Sequence, residues 1–181
     1  MTTTGWQSTL TVPVDPERDH IQGPADAPVT LVEYGDYQCP YCGKAHPIVQ
    51  AAQAQLGDRM RFVFRHFPIT TSHRYAEEAA EAAEAAGAQG RFWPMHDALY
   101  EHQDRLTDPD LRGYAEEAGL DLERYDADMA SHAHAERVRE DFMGGVRSGV
   151  NGTPSFYING ARYDDSYDLE TLVAALERAA R

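Results

Sequence analysis

Lysine is nearly missing from this chain. Lys44 is the only one in 181 residues, and with fifteen arginines it makes 16 bases against 30 acids. The resulting net charge of −14 at pH 7 argues against the clustered cationic surface that phosphate backbones and anionic headgroups require. Nucleic acid and membrane are therefore not expected as partners. Long apolar runs are missing too, since nothing approaches the roughly 20 residues of a membrane helix. Residues 1–20 lack a basic stretch followed by an apolar one, so no secretory signal is read. These absences predict a soluble, cytoplasmic protein, a reading that a trimmed exported form would share. No repeat period or low-complexity linker divides the chain. A hydrophobic content of 42% still supplies a packed core, which sets extended disorder aside.

Cysteine is scarce as well. Cys39 and Cys42 are the only two, too few and too close for a framework of structural disulfides. An isolated pair in a reducing compartment is catalytic, redox-sensing or metal-binding. Its setting narrows the choice. Residues 29–47 read VTLVEYGDYQCPYCGKAHP. The apolar run Val29 to Tyr34 predicts a buried strand, and a short turn leads to Cys39-Pro40-Tyr41-Cys42 at the start of a helix. Pro40 fits the first helical position, where its missing N–H costs nothing. A cysteine at a helix N-terminus faces free backbone N–H groups and the positive end of the dipole. Such settings lower a thiol pKa from about 8.5 to roughly 3.5–7.5. Cys42, one turn further on, turns into the protein. Cys39 therefore reads as the thiol that attacks or is attacked, and Cys42 as the one that resolves a mixed disulfide. Whatever stabilises the Cys39 thiolate makes the disulfide more oxidising. Pro40 and Tyr41 between the cysteines shift the potential without revealing the direction of electron flow.

The rest of the chain frames this unit. Residues 8–14 predict a short edge strand and residues 15–28 a loop. In the strand over 29–34, Val29, Leu31 and Glu33 share one face, while Val32 and Tyr34 take the other. An acid on an apolar strand is a local inconsistency of the kind found at functional sites. The helix after Cys39 runs to Leu56, is bent by Pro47 and ends at Gly57. Residues 60–67 form a second core strand, with Met60, Phe62 and Phe64 on one face and Val63 between two arginines on the other. Helices follow over 73–86, 91–103, 109–118, from 121, and over 133–147. Ser72, Asp108 and Asp121 are read as caps of the first, third and fourth. Ser155 to Ile158 and Ala161 to Tyr163 form a hairpin about Asn159-Gly160. Asp168 caps a last helix with Leu169, Leu172, Val173 and Leu176 on one face.

The stretches GPADAPVTLVEYGDYQCPYC, RHFP, AEAAGAQGRFWPMHDALY and GVNGTPSFYING, in that order, resemble the DsbA-like branch of the thioredoxin superfamily. The resemblance runs from Gly23 to the last helix. It implies an α/β thioredoxin fold with a helical insertion between the central strands, with 1–71 and 150–181 forming the discontinuous thioredoxin domain and 72–149 the insert. It implies that Pro154 is the cis-proline facing the cysteine pair, and that the Thr153 backbone is free to bind a substrate peptide by strand addition. It places Glu33 as a buried acid behind Cys42, with a raised pKa and a proton-relay role. It implies a thiol–disulfide oxidoreductase acting on protein disulfides or dithiols, without a bound cofactor or metal, and exchanging electrons with a redox partner protein or small thiol. Tyr41, where the best-known members carry histidine, and the lack of a readable export signal make a strong oxidant of the periplasmic kind less expected.

Two rival readings stand beside the enzyme. One is a redox-sensing or client-binding module with the pair as a switch. The other is a metal protein in which Cys39, Cys42 and His46 are joined by His66 or His73. His46 otherwise reads as a helix-surface or packed residue, and His66 and His73 as structural. Phe92, Trp93, Met95 and Tyr100 read mainly as packing, with an apolar substrate groove as the alternative. The acids of 77–84 and 116–128 read as solvated helix faces.

Overall fold

The computed structural model describes residues 8–181. Residues 1–7, part of the polar opening read above, lie outside the described residues. The elements are β1 (His20–Gln22), β2 (Val29–Gly35), α1 (Pro40–Leu56), β3 (Met60–His66), α2 (Ala76–Gly87), α3 (Phe92–Glu101), α4 (Asp108–Glu117), α5 (Leu122–Ala130), α6 (Ala135–Arg147), β4 (Ser155–Ile158), β5 (Ala161–Tyr163) and α7 (Leu169–Ala179).

The strands form one sheet in the order β1-β3-β2-β4-β5. β2 and β3 run parallel, joined by α1, and the other neighbours are antiparallel. A parallel pair needs such a crossover, and it leaves both central strands buried. The alternation of side chains sends each strand into two cores. Val29, Leu31, Phe62, Phe64 and Phe156 join the face covered by α1, α7 and the helices after β3. Val32, Tyr34, Val63 and Tyr157 form the second core, against which Leu10, Val14 and Phe142 of α6 pack. Five helices lie between β3 and β4, as the sequence predicts.

Five local expectations are corrected. The strand over 8–14 reduces to one isolated bridge, Thr9 with Ala161. The real edge strand is β1, inside the expected loop, where His20, Ile21 and Gln22 pair with Phe64, Val63 and Phe62. α2 begins at Ala76 rather than after a Ser72 cap, because the Ser72 and His73 N–H groups both donate to the Ile69 carbonyl in a preceding turn. α4 is capped by Thr107, not Asp108, through a capping box with Asp110. Glu81 and Glu84 are buried, not solvated. Glu84 accepts from His20 and His66, and Glu81 pairs with His132. The other caps and hinges fall as read: Gly57 ends α1, Asp121 caps α5, and Asp168 caps α7 by accepting from the Thr171 N–H. Phe92, Met95 and Tyr100 are buried in the first core and Trp93 packs against it, so the aromatic stretch is packing.

Arg65 is a second surprise on the arginine face of β3, for its side chain is almost wholly buried. Its Nε and one terminal nitrogen each donate to Asp19 at 2.9 Å, and further bonds reach the carbonyls of Val12 and Pro13 and the Tyr34 hydroxyl. This fork ties the N-terminal segment to the sheet, and every donor that it buries has a partner. Asp19→Ala leaves the guanidinium buried and uncompensated. It is expected to cost about 3–5 kcal/mol, read by urea unfolding. A loss below about 1 kcal/mol would show that the ion pair adds nothing.

Candidate active site

The sulfur-bearing pair is placed by three elements. The Cys39 N–H donates to the Asp36 carbonyl at 3.1 Å, which turns the chain from β2 into α1. Cys39 is the N-cap of α1 and Pro40 its first residue. Asp36 in turn is buried and accepts from the Gln38 and Ile69 N–H groups, and His73 Nδ1 lies 2.7 Å from it. The turn is thus pinned by a carboxylate. Both cysteines are free thiols, and they approach to 3.7 Å. Cys42 is wholly buried and Cys39 is 4% exposed, while Pro40 and Tyr41 between them are open to solvent. The 17-residue helix continues through Pro47 to Leu56.

The opposite wall comes from the start of β4. The Thr153–Pro154 bond is cis. The Cys39 thiol lies 3.5 Å from the Thr153 carbonyl oxygen. The two sites, more than a hundred residues apart in sequence, are joined because β4 pairs with β2 antiparallel, Ser155 opposite Tyr34.

The two thiols differ sharply in acidity. A hydrogen bond from the Cys42 thiol pulls Cys39 down to about 5, with help from Thr153 and the Cys42 and Tyr41 backbone, against the opposing effect of burial. Cys42 is pushed well up by burial, by its bond to Cys39, and by the Glu33 and Cys39 charges. One thiol is thus held as a thiolate and the other as a protonated thiol, a division that thiol–disulfide exchange can use.

Glu33 lies on the face of β2 under α1. Its Oε1 is buried without a hydrogen-bond partner. Burial first, and then the Cys39 charge, raise its pKa from 4.5 to about 8. Between those values the folded state holds a proton that the unfolded state releases, so Glu33 makes stability fall as pH rises. Glu33→Gln removes this titration. The variant's stability relative to wild type is expected to grow by roughly 3 kcal/mol between pH 4.5 and pH 7. Denaturant unfolding of the dithiol forms at both pH values reads the effect, and a pH-independent difference would contradict it.

Four further supporting residues escaped the sequence reading. The Gln103 side-chain amide, from the segment after α3, donates to the Tyr37 and Cys39 carbonyls at 2.9 and 2.8 Å. Gly43 makes room for it: a Cβ there would lie 1.9 Å from Gln103 Oε1. The Tyr37 hydroxyl bonds His96 Nδ1 at 2.9 Å. No motif spacing announces such contacts, because they cross from one part of the fold to another. The cysteine-based metal set is not assembled. His66 is engaged by Glu84 and His73 by Asp36, and the groups of three clustered ligand-bearing side chains among the described residues include neither cysteine.

Comparison with known proteins agrees with this arrangement. The thioredoxin family model matches residues 15–178. A thioredoxin-like oxidoreductase from Silicibacter pomeroyi superposes with a TM-score of 0.79 at 32% identity, over 91% of this chain and 93% of that one. Oxidised BdbD from Bacillus subtilis gives a TM-score of 0.82 at 23% identity, over 96% and 97% of the two chains. Wolbachia pipientis alpha-DsbA1 gives 0.79 at 17% identity, over 94% of each. In sequence, 170 residues are 52% identical to a protein named Na(+)/H(+) antiporter NhaA 1 from Salinispora arenicola, covering 94% of this chain and 26% of that protein. The chain thus spans about a quarter of the length of such curated relatives. No helix among its own described residues is long and apolar enough to cross a membrane. The chain belongs to the thioredoxin family and has its DsbA-like fold.

Proposed function

We propose that the protein is a thiol–disulfide oxidoreductase that exchanges disulfides with protein substrates through Cys39 and Cys42. The observation that carries this reading is the pairing of a low-pKa thiol at about 5 with a buried, protonated one, facing a cis Thr153–Pro154 bond.

In the oxidising direction a substrate thiolate attacks Cys39 Sγ of the Cys39–Cys42 disulfide, and Cys42 leaves as a thiolate that takes the proton of the Glu33 carboxyl. A second substrate thiolate then attacks the substrate sulfur of the mixed disulfide. Cys39 leaves as its thiolate, the substrate gains a disulfide, and the protein is left as the dithiol. A redox partner protein or small disulfide takes the two electrons back. In the reducing direction Cys42 gives up its proton and displaces the substrate from Cys39. Glu33, in its ionised form, is the acceptor of that proton. The low pKa of Cys39 stabilises the dithiol form and favours the oxidising direction. The Thr153 backbone pairs with an extended substrate segment, and exposed Tyr41 and Pro40 form the rim that meets it.

The test is trapping. Cys42→Ser, incubated with a disulfide-bonded unfolded protein, is expected to accumulate a covalent complex released by dithiothreitol. Absence of any complex at Cys39 would overturn the reading. Glu33→Gln is expected to slow resolution by about a hundredfold while leaving mixed-disulfide formation within a few-fold, and equal effects on both steps would remove the relay.

A second reading is a redox-sensing module. The observation that favours it is the likeness to proteins named as sodium/proton antiporters, of which this chain matches 26%. A thioredoxin-family module joined to a transporter is placed to report redox state rather than to process many substrates. Multiple turnover against one stoichiometric oxidation separates the two.

A further inference from the structure

His46 of α1 meets His96 and Asp97 of α3 where the helix bearing the cysteines packs on the helices that follow β3. Each residue offers one ligand atom, and the three atoms lie within 4.8 Å of one another. His46 is 8% exposed and His96 2%. Nε2 of His46 is buried and has no hydrogen-bond partner. It lies 3.5 Å from Oδ1 of Asp97, close to the separation of two donors on a tetrahedral ion bound at about 2.0–2.1 Å. A cavity of about 70 Å³ opens between them, with Gln22, Gln50 and Gln53 among its lining residues. That volume admits an ion with one or two waters, since a water takes about 30 Å³. With Nδ1–H of His96 donating to the Tyr37 hydroxyl, 2.9 Å away, the ring is fixed and Nε2 is left free to ligate, as outer-shell partners of ligating imidazoles do.

We propose that His46, His96 and Asp97 form a binding site for a divalent transition metal of the zinc class, with water or a glutamine oxygen completing its coordination. Two imidazoles and one carboxylate suit zinc, nickel or copper rather than calcium or magnesium, which prefer all-oxygen shells. Charge agrees with this. His46 is the only ion-pair partner of Asp97 among the described residues, and the nearby charge that acts on both is the acid Glu101. The other cluster of this kind, His20, His66 and Glu84, is different. Nδ1 of His66 has no partner there either, but both imidazoles already bond the carboxylate, and the Arg137 guanidinium lies 3.9 Å from it, so the carboxylate charge is met without an added cation. The site does not depend on the exchange chemistry. It would fasten α1, one turn beyond Cys42, to α3, and through Tyr37 to the turn before Cys39.

The experiment uses the full chain carrying Cys39→Ser and Cys42→Ser, so that no thiolate can take the metal. Calorimetric titration with zinc alone is expected to give one equivalent and a raised melting temperature. Asp97→Asn, at a half-exposed side chain, leaves the fold intact by circular dichroism and is expected to weaken binding by more than about a hundredfold, because even outer-shell partners are worth about 10- to 100-fold. His46→Gln should do the same, and His20→Ala should not. Absence of stoichiometric zinc, or binding unchanged in both Asp97→Asn and His46→Gln, overturns the proposal.

Discussion

Replacing Cys39 by serine is expected to abolish both dithiothreitol-driven insulin reduction and the refolding of a scrambled disulfide protein. A serine hydroxyl at this helix N-terminus cannot form a disulfide, and Cys42 cannot take its place. The Cys42 thiol is wholly buried, and in this variant burial first, and then the adjoining Glu33 charge, still hold it protonated. A substrate sulfur therefore has one point of entry, beside exposed Pro40 and Tyr41. Cys42→Ser differs in kind. It keeps the entry sulfur, so it forms the mixed disulfide but stalls before resolution, and turnover falls while covalent complexes build up. The pair of variants separates an exchange enzyme from a binding module. If wild type and Cys39→Ser are equally inert, the catalytic reading fails. If they are equally active, the chemistry lies elsewhere.

The second large effect is the ionisation of Cys39. Its pKa is lowered from 9.0 to about 5. At pH 7 the thiolate fraction is therefore expected near 99%, against about 1% for an unperturbed thiol of that reference value, a change of roughly a hundredfold. Thiolate absorbance in the dithiol protein should titrate with a midpoint near 5 and disappear in Cys39→Ser. Absorbance is the right readout, because intrinsic nucleophilicity falls with basicity and partly offsets the gain in thiolate. The Cys42 thiol supplies the largest share of the stabilisation, so Cys42→Ala should move the midpoint upward. A midpoint of 8 or above in the wild type would remove the physical basis for an electrophilic, easily displaced Cys39.

Much of this site is legible from sequence because its parts are local. The run from Val29 to Cys42 encodes a buried strand, a turn and a helix start within a short span, and Pro40 at the first helical position marks the boundary. Glu33 declares itself as an acid in an apolar strand. The cis Thr153–Pro154 bond is different, since Thr-Pro alone fits an ordinary strand start and only the family resemblance predicts the isomer. What escaped notice is what depends on packing between distant segments. Glu84 reads as part of a solvated helix face and Arg65 only as one of two arginines flanking Val63, yet each is buried by partners from elsewhere, the pair His20 and His66 for the first and Asp19 for the second. β1 was hidden for the same reason: three residues between loops form a strand only because β3 offers an open edge. Gln103 reaches the Cys39 carbonyl only after the helices after β3 have docked.

The central claim is that the fold holds Cys39 as a stabilised thiolate whose disulfide with Cys42 readily accepts electrons. The equilibrium potential of that couple in a glutathione buffer tests it most directly. Thioredoxin, with a thiol pKa near 7, has a potential of about −270 mV, and DsbA, with one near 3.5, about −120 mV. A thiol at about 5 falls between them, and interpolation gives about −180 mV. A value near that figure is the predicted result. A potential at or below about −270 mV would contradict the account.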